Sequence, residues 1–175
     1  ANSAGLYMEH FPYIDRLWFG EYFEYDRGPD YWLTEDSGIP FGLMGEMLQD
    51  NGNPWRGMVY GMTARMPRTD MPAKLWKVWD SFGLQDSEMI GYYSKNCPVK
   101  TSSSKIVATV YKKNNKSLIA IASWEDKPVK CKLQIDWESI GIDKENAILK
   151  ALAIDGFQNS MEISPSDEFT VEPGK

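Results

Sequence analysis

An α/β unit followed by an antiparallel β-sandwich is the fold class this chain predicts, and three observations carry it. Residues 1–93 hold 18 of the 23 aromatics, eight of the nine Met, 11 of the 14 Gly and all five Arg, whereas residues 94–175 hold 12 of the 14 Lys. Formal charge changes with them, from −7 in the first part to +1 in the second. The apolar pattern changes as well, from dense aromatic runs to short alternating segments split by turn-forming tracts. A uniform domain seldom switches character this sharply. The reading therefore places an α/β unit at 1–87 and a β-sandwich at 88–175.

The first unit alternates helix and strand. Residues 3–11 read as a short helix ended by Pro12. Residues 16–23 (Arg-Leu-Trp-Phe-Gly-Glu-Tyr-Phe) are dense in β-formers and read as a strand buried on both faces. Residues 24–38 carry Asp, Gly, Pro and Ser and read as a long loop, a length usually reserved for function. Pro40 then opens a helix whose Phe41, Met44, Met47 and Leu48 recur at helical spacing. A turn at Asp50–Pro54 leads to a second buried strand at 57–63. The last helix starts near Asp70 and Pro72, shows an apolar face of Leu75, Trp76, Val78, Trp79 and Phe82, and is capped by Gly83. Such alternation predicts neighbouring parallel strands at 16–23 and 57–63, covered by helices.

The second unit reads as hairpins. Lys105–Tyr111 and Leu118–Trp124 flank the turn-forming tract Lys112–Lys116. Val129–Ile135 alternates cleanly, and Ala147–Ile154 and Phe169–Val171 supply further strands. Short strands with frequent turns indicate an antiparallel sandwich.

Composition excludes several classes of function. A net charge of −6 and a pI near 4.9 argue against nucleic acid as a partner. No apolar run approaches the roughly 20 residues that a membrane-spanning helix needs, and no signal peptide is visible. Cys97 and Cys131 are too few for a disulfide scaffold and lack CxxC spacing, and Cys131 has the parity of a core thiol. The single His10 rules out a multi-histidine metal site, and no cofactor motif is present.

In a parallel β/α unit, ligands meet the C-terminal ends of the strands. Glu21 and Tyr22 lie near the end of the first predicted strand, Tyr25 begins its loop, and Tyr60 lies within the neighbouring strand. A carboxylate among tyrosines suits a sugar, because pyranose faces stack on aromatic rings while carboxylates hold the hydroxyls. Glu21, Tyr22, Tyr25 and Tyr60 are therefore the candidate substrate contacts. Trp18, Phe19, Phe23, Trp76 and Trp79 are expected in the core, Glu24 and Asp30 on the loop surface.

The segments 16–22, 38–46, 53–57, 59–63 and 76–80 resemble the C-terminal portion of Bacteroidetes glycoside-hydrolase-like proteins similar to glycoside hydrolase family 123. The resemblance implies a (β/α)8 barrel followed by a sandwich, with residues 1–85 supplying its last two or so β/α units. It also implies a periplasmic or secreted location and cleavage of terminal β-linked N-acetylgalactosamine. In that chemistry the substrate's own acetamido group is the nucleophile, assisted by an adjacent Asp-Glu pair. The only Asp-Glu step here is Asp167-Glu168, far from the α/β unit. No catalytic residue is therefore assignable in this chain. The expected partners are carbohydrate and the missing N-terminal part of the barrel. The rival readings are a non-catalytic carbohydrate-binding module and a structural accessory domain.

Overall fold

A computed structural model describes residues 4–17, 23–45, 47–48, 52–64 and 71–174. The parallel pairing expected of the first unit is present, but between different partners. Strand β1 (Arg16–Leu17) pairs in parallel with β2 (Met44–Gly45), in the register Arg16↔Met44. Strand β3 (Met47–Leu48) pairs in parallel with β4 (Thr63–Ala64), in the register Met47↔Thr63. Residues 44–45 and 47–48 thus supply strand partners to β1 and β4, where the helical spacing of Phe41, Met44, Met47 and Leu48 predicts a helix.

The helix fails for a local reason. Gly38 (φ 66°) and Gly42 (φ 79°) take left-handed conformations and bracket a single 3-10 turn, Ile39–Phe41. The backbone at Met44 and Gly45 is extended, and Gly45 accepts an approach that no other residue could. A Cβ there would stand 2.6 Å from the Asp36 carbonyl oxygen, while the Gly45 N–H donates to the Ser37 carbonyl at 2.8 Å.

Two further expectations are corrected. The loop at 24–38 contains helix α1 (Pro29–Tyr31), which continues as a π-helical turn over Trp32–Asp36. Residues 57–62 are not a strand, and of the predicted run only Thr63 enters one, β4. Asn53 caps α2 (Pro54–Gly57), its Oδ1 accepting from the Trp55 and Arg56 N–H groups at 2.9 and 3.3 Å, and a 3-10 turn spans Met58–Tyr60. Val59 and Tyr60 are buried all round, so the run showed no helical stripe and resembled a central strand.

Helix α3 (Met71–Phe82) forms where the apolar spacing places it, and its final turn is closed by the Gly83 N–H reaching the Trp79 and Asp80 carbonyls. Leu75 is fully buried, with Val78, Trp79 and Phe82 packed on the same core. Trp76 departs from that face and is 38% exposed. At about 100° per residue it stands roughly 110° from the centre of the stripe made by the other four.

The remaining chain is antiparallel, as its alternation predicts. Strands β5 (Glu88–Ile90), β7 (Ile106–Lys112) and β8 (Ser117–Ser123) form one sheet in the order β5-β7-β8, and β6 (Val99–Thr101) pairs with β10 (Leu133–Ile135). The predicted strand 129–135 divides, because β9 (Val129–Cys131) pairs instead with β13 (Phe169–Val171). Strand β11 (Leu149–Ala151) pairs with β12 (Met161–Ile163). Asp136 caps a one-turn helix α4 (Trp137–Ile140) after β10, its carboxylate accepting from the Ser139 N–H. Cys131 is fully buried beside Ile106 and Val171, as its parity indicates. Among the described residues no helix is long and apolar enough to cross a membrane.

One core joins the two parts. Trp32, Tyr60 and Leu75 from the first pack in the same cluster as Val107, Tyr111 and Trp124 from the second. The carbonyls of the 58–60 turn have no long helix to donate to them, and the second part supplies donors. Thr109 Oγ1 donates to the Val59 carbonyl at 2.8 Å, and the Tyr111 hydroxyl donates to that of Met58. Thr109 is itself fully buried, so this bond satisfies two polar groups at once.

Candidate functional site

Two aromatic residues of the first part, Tyr25 and Tyr60, meet at Trp32. Its ring stacks on Tyr60 at 6.0 Å between centroids, meets Trp124 edge-on at 5.7 Å, and lies 5.4 Å from Tyr25. The indole N–H donates to the Tyr25 carbonyl at 3.2 Å, which ties the start of the 24–28 turn to the helical segment at 29–36. Arg56 closes the cluster, with its guanidinium 4.9 Å above the Trp124 ring and its Nε donating to the Ser123 carbonyl at 2.9 Å. Burial lowers the Arg56 pKa, and the carboxylate of Asp26 opposes that shift.

This is an interior cluster. Tyr60 is fully buried, and its hydroxyl donates to the Pro29 carbonyl at 2.9 Å. The Tyr92 hydroxyl donates to the same carbonyl at 3.1 Å and lies 3.3 Å from that of Tyr60. Desolvation pushes the Tyr60 hydroxyl far above the ordinary tyrosine range and that of Tyr92 up to about 12. Both are neutral donors at any physiological pH. Tyr25, expected to open onto solvent, is only 7% exposed. Neither Tyr25 nor Tyr60 therefore offers a free ring face in this structure; their neighbours already cover them. Glu21 and Tyr22 lie outside the described residues, as do Trp18, Phe19 and Glu46. Glu24 and Asp30 are exposed, as their loop composition indicates.

The shared Pro29 carbonyl yields a measurable expectation. Either Tyr60→Phe or Tyr92→Phe leaves that oxygen one tyrosine donor, so each costs about 1 kcal/mol or less. The double variant leaves it only the Trp32 backbone N–H, and its loss exceeds the sum of the singles. Denaturant midpoints for the four proteins measure the coupling; strict additivity would show that the two hydroxyls do not share the acceptor.

Two residues gain significance only from the structure. Asp36 is 1% exposed, and neither carboxylate oxygen has a hydrogen-bond partner among the described residues. Burial, with a smaller repulsion from Glu35, raises its pKa to about 8. A carboxyl held neutral near pH 7 is the form a general acid needs, but this one is closed to solvent. No sequence signal marks it, since Thr34–Ser37 reads as a polar loop. Trp76 is the second. Its indole N–H donates to Thr63 Oγ1 at 2.6 Å, which pins the exposed ring beside β4. Its angular offset on α3 was the available signal.

A groove of about 1270 Å³ lies between β8 and the β11–β12 hairpin, with Trp55, Met58 and Val78 of the first part also on its wall. Its walls include Leu118, Ile121, Leu149 and Phe169. Lys150, Asp155, Gln158, Asn159 and Glu172 also line it, so the groove mixes apolar and polar surface. No group of His, Cys, Asp and Glu among the described residues is arranged to hold a metal ion.

Parallel strands with helical connections, sharing a core with trailing antiparallel sheets, define an α/β unit joined to a β domain. Residues 1–67 match the family described as glycoside hydrolase 123, TIM-barrel domain, and residues 71–175 match glycoside hydrolase 123, C-terminal domain. The chain belongs to glycoside hydrolase family 123. No curated protein and no solved structure matches it.

Proposed function

We propose that this chain is the C-terminal portion of a glycoside hydrolase acting on β-linked N-acetylhexosaminides of the N-acetylgalactosamine type, with the main catalytic residues outside the chain. The observation that carries the reading is the order of the two family matches, a TIM-barrel stretch of 67 residues followed by the C-terminal domain. A complete (β/α)8 barrel takes about 200 residues or more, so this stretch amounts to a few of its units. The β1–β2 and β3–β4 pairings are of the parallel kind such units require. On this reading the partner is the rest of the barrel, the antiparallel sheets are a sandwich-type accessory domain, and the protein works in the periplasm or beyond it.

Glu21 and Tyr22 come after β1 in sequence, and on this reading they reach the sugar pocket from the C-terminal side of that strand. Tyr25 and Tyr60 serve it from behind, as core that holds the 24–36 segment in place. An aryl β-N-acetylgalactosaminide tests the proposal. The purified chain gives no turnover, because the acid and the group that orients the acetamido nucleophile both lie elsewhere. Turnover by this chain, abolished in Glu21→Gln, would overturn the reading and make Glu21 catalytic.

A further inference from the structure

We infer that Trp76 is a stacking platform for a pyranose ring beside β4. The inference rests on the proposed carbohydrate function and adds to it a residue that neither the family match nor the sequence pattern assigns. Among the described tryptophans, Trp32, Trp55 and Trp124 are at least nine-tenths buried, whereas Trp76 keeps 38% of its surface open. Exposure alone would describe any misplaced apolar side chain. The Thr63 hydroxyl makes the difference, because its 2.6 Å contact uses the indole's single donor and fixes the plane of the ring. An aromatic ring held still loses little freedom when a ligand settles on it.

Position and company agree with this role. Thr63 is the first residue of β4, so the ring stands beside a strand of the parallel unit. One helical turn beyond Trp76, at i+4 and hence on the same flank of α3, stands the exposed carboxylate of Asp80. A flat apolar face next to a carboxylate meets both needs of a sugar, the C–H face of the ring and the hydroxyls at its rim. The occupant proposed is a pyranoside. A further protein segment covering the indole is the rival outcome.

The test uses the whole chain, ¹⁵N-labelled, titrated with methyl β-N-acetylgalactosaminide and followed through the indole N–H signals. Trp76→Phe assigns the Trp76 signal by its disappearance. That signal is expected to move saturably with the sugar. Trp76→Ala weakens binding about 2- to 12-fold, read from the remaining signals, whereas Trp76→Phe retains most of it. Movement of other signals with Trp76 unmoved would overturn this inference and leave the proposed function standing. No movement of any signal would likewise overturn this inference, while the proposed function, which places the rest of the pocket outside this chain, would stand. Should Trp76→Ala fail to fold, the titration of the unaltered chain still decides the matter.

Discussion

Trp32→Ala destabilises the chain by about 3–5 kcal/mol, the range for truncating a large buried aromatic, and at that cost a domain of ordinary stability is largely unfolded. Trp32 has no exposed surface, and its ring contacts Tyr25, Tyr60 and Trp124. Removal leaves a void bounded by three rings, two of them anchored elsewhere. The Tyr60 hydroxyl is tied to Pro29, and Trp124 is held under Arg56, while the Tyr25 carbonyl loses its indole donor. Collapse into the space is therefore restricted, which keeps the cavity cost high. Urea denaturation followed by circular dichroism measures the loss. Trp76→Ala serves as the contrast, because an exposed ring on a helix flank costs less than about 1 kcal/mol. A loss below about 1.5 kcal/mol for Trp32→Ala would mean that the cluster is not the keystone of the core.

The second large effect is a pH dependence carried by Asp36. Its pKa is raised from 3.8 to about 8 by burial and by Glu35. For an acid whose folded pKa is raised, the native state binds the proton more tightly than the unfolded chain does. The stability linked to Asp36 is then complete below about pH 3.8 and is lost progressively as pH rises to about 8, beyond which both states are ionised. A shift of this size corresponds to a loss on the order of 5 kcal/mol as an upper bound. Tyr31 and Tyr60 face the same carboxyl, and both remain neutral across this window because burial raises them above the usual tyrosine value. Asp36→Asn keeps the shape and removes the titration. The variant is expected to be more stable than the unaltered chain by at least about 2 kcal/mol at pH 8, with the gap closing near pH 4. Parallel stability curves for the two proteins would show that Asp36 is solvated or paired in solution.

Asp36 also illustrates why part of the site was illegible in the sequence. Its neighbours along the chain, Thr34, Glu35 and Ser37, all suit a surface loop, and nothing in the run distinguishes one carboxylate from the other. Burial comes from Gly45, a residue nine positions on, whose missing side chain lets the 36–37 backbone lie against β2. Tyr60 was misplaced for a related reason. A run buried on all sides carries no periodicity, so 57–63 reads as a central strand although 57–61 is a capped turn whose Met58 and Val59 carbonyls accept from Tyr111 and Thr109. Trp76 is the opposite case. The geometry of an ideal helix places it off the buried stripe, and only its aromatic character suggested the core.

What the sequence determined by itself were the features that depend on local periodicity and local chemistry. Helix α3 with its Gly83 cap, the β7–β8 hairpin around Lys113–Lys116, the buried parity of Cys131 and the change from parallel to antiparallel pairing all arise from spacing and turn residues within a dozen positions. The tertiary structure alone decided which strand ends pair, which carboxylate is buried and which tryptophan faces outward. Those outcomes depend on contacts between segments distant in the chain: β1 with β2, Pro29 with Tyr60 and Tyr92, Thr63 with Trp76. A backbone carbonyl or an indole N–H carries no mark of the partner it will meet, because that partner is set by how whole elements pack and not by the residues beside it.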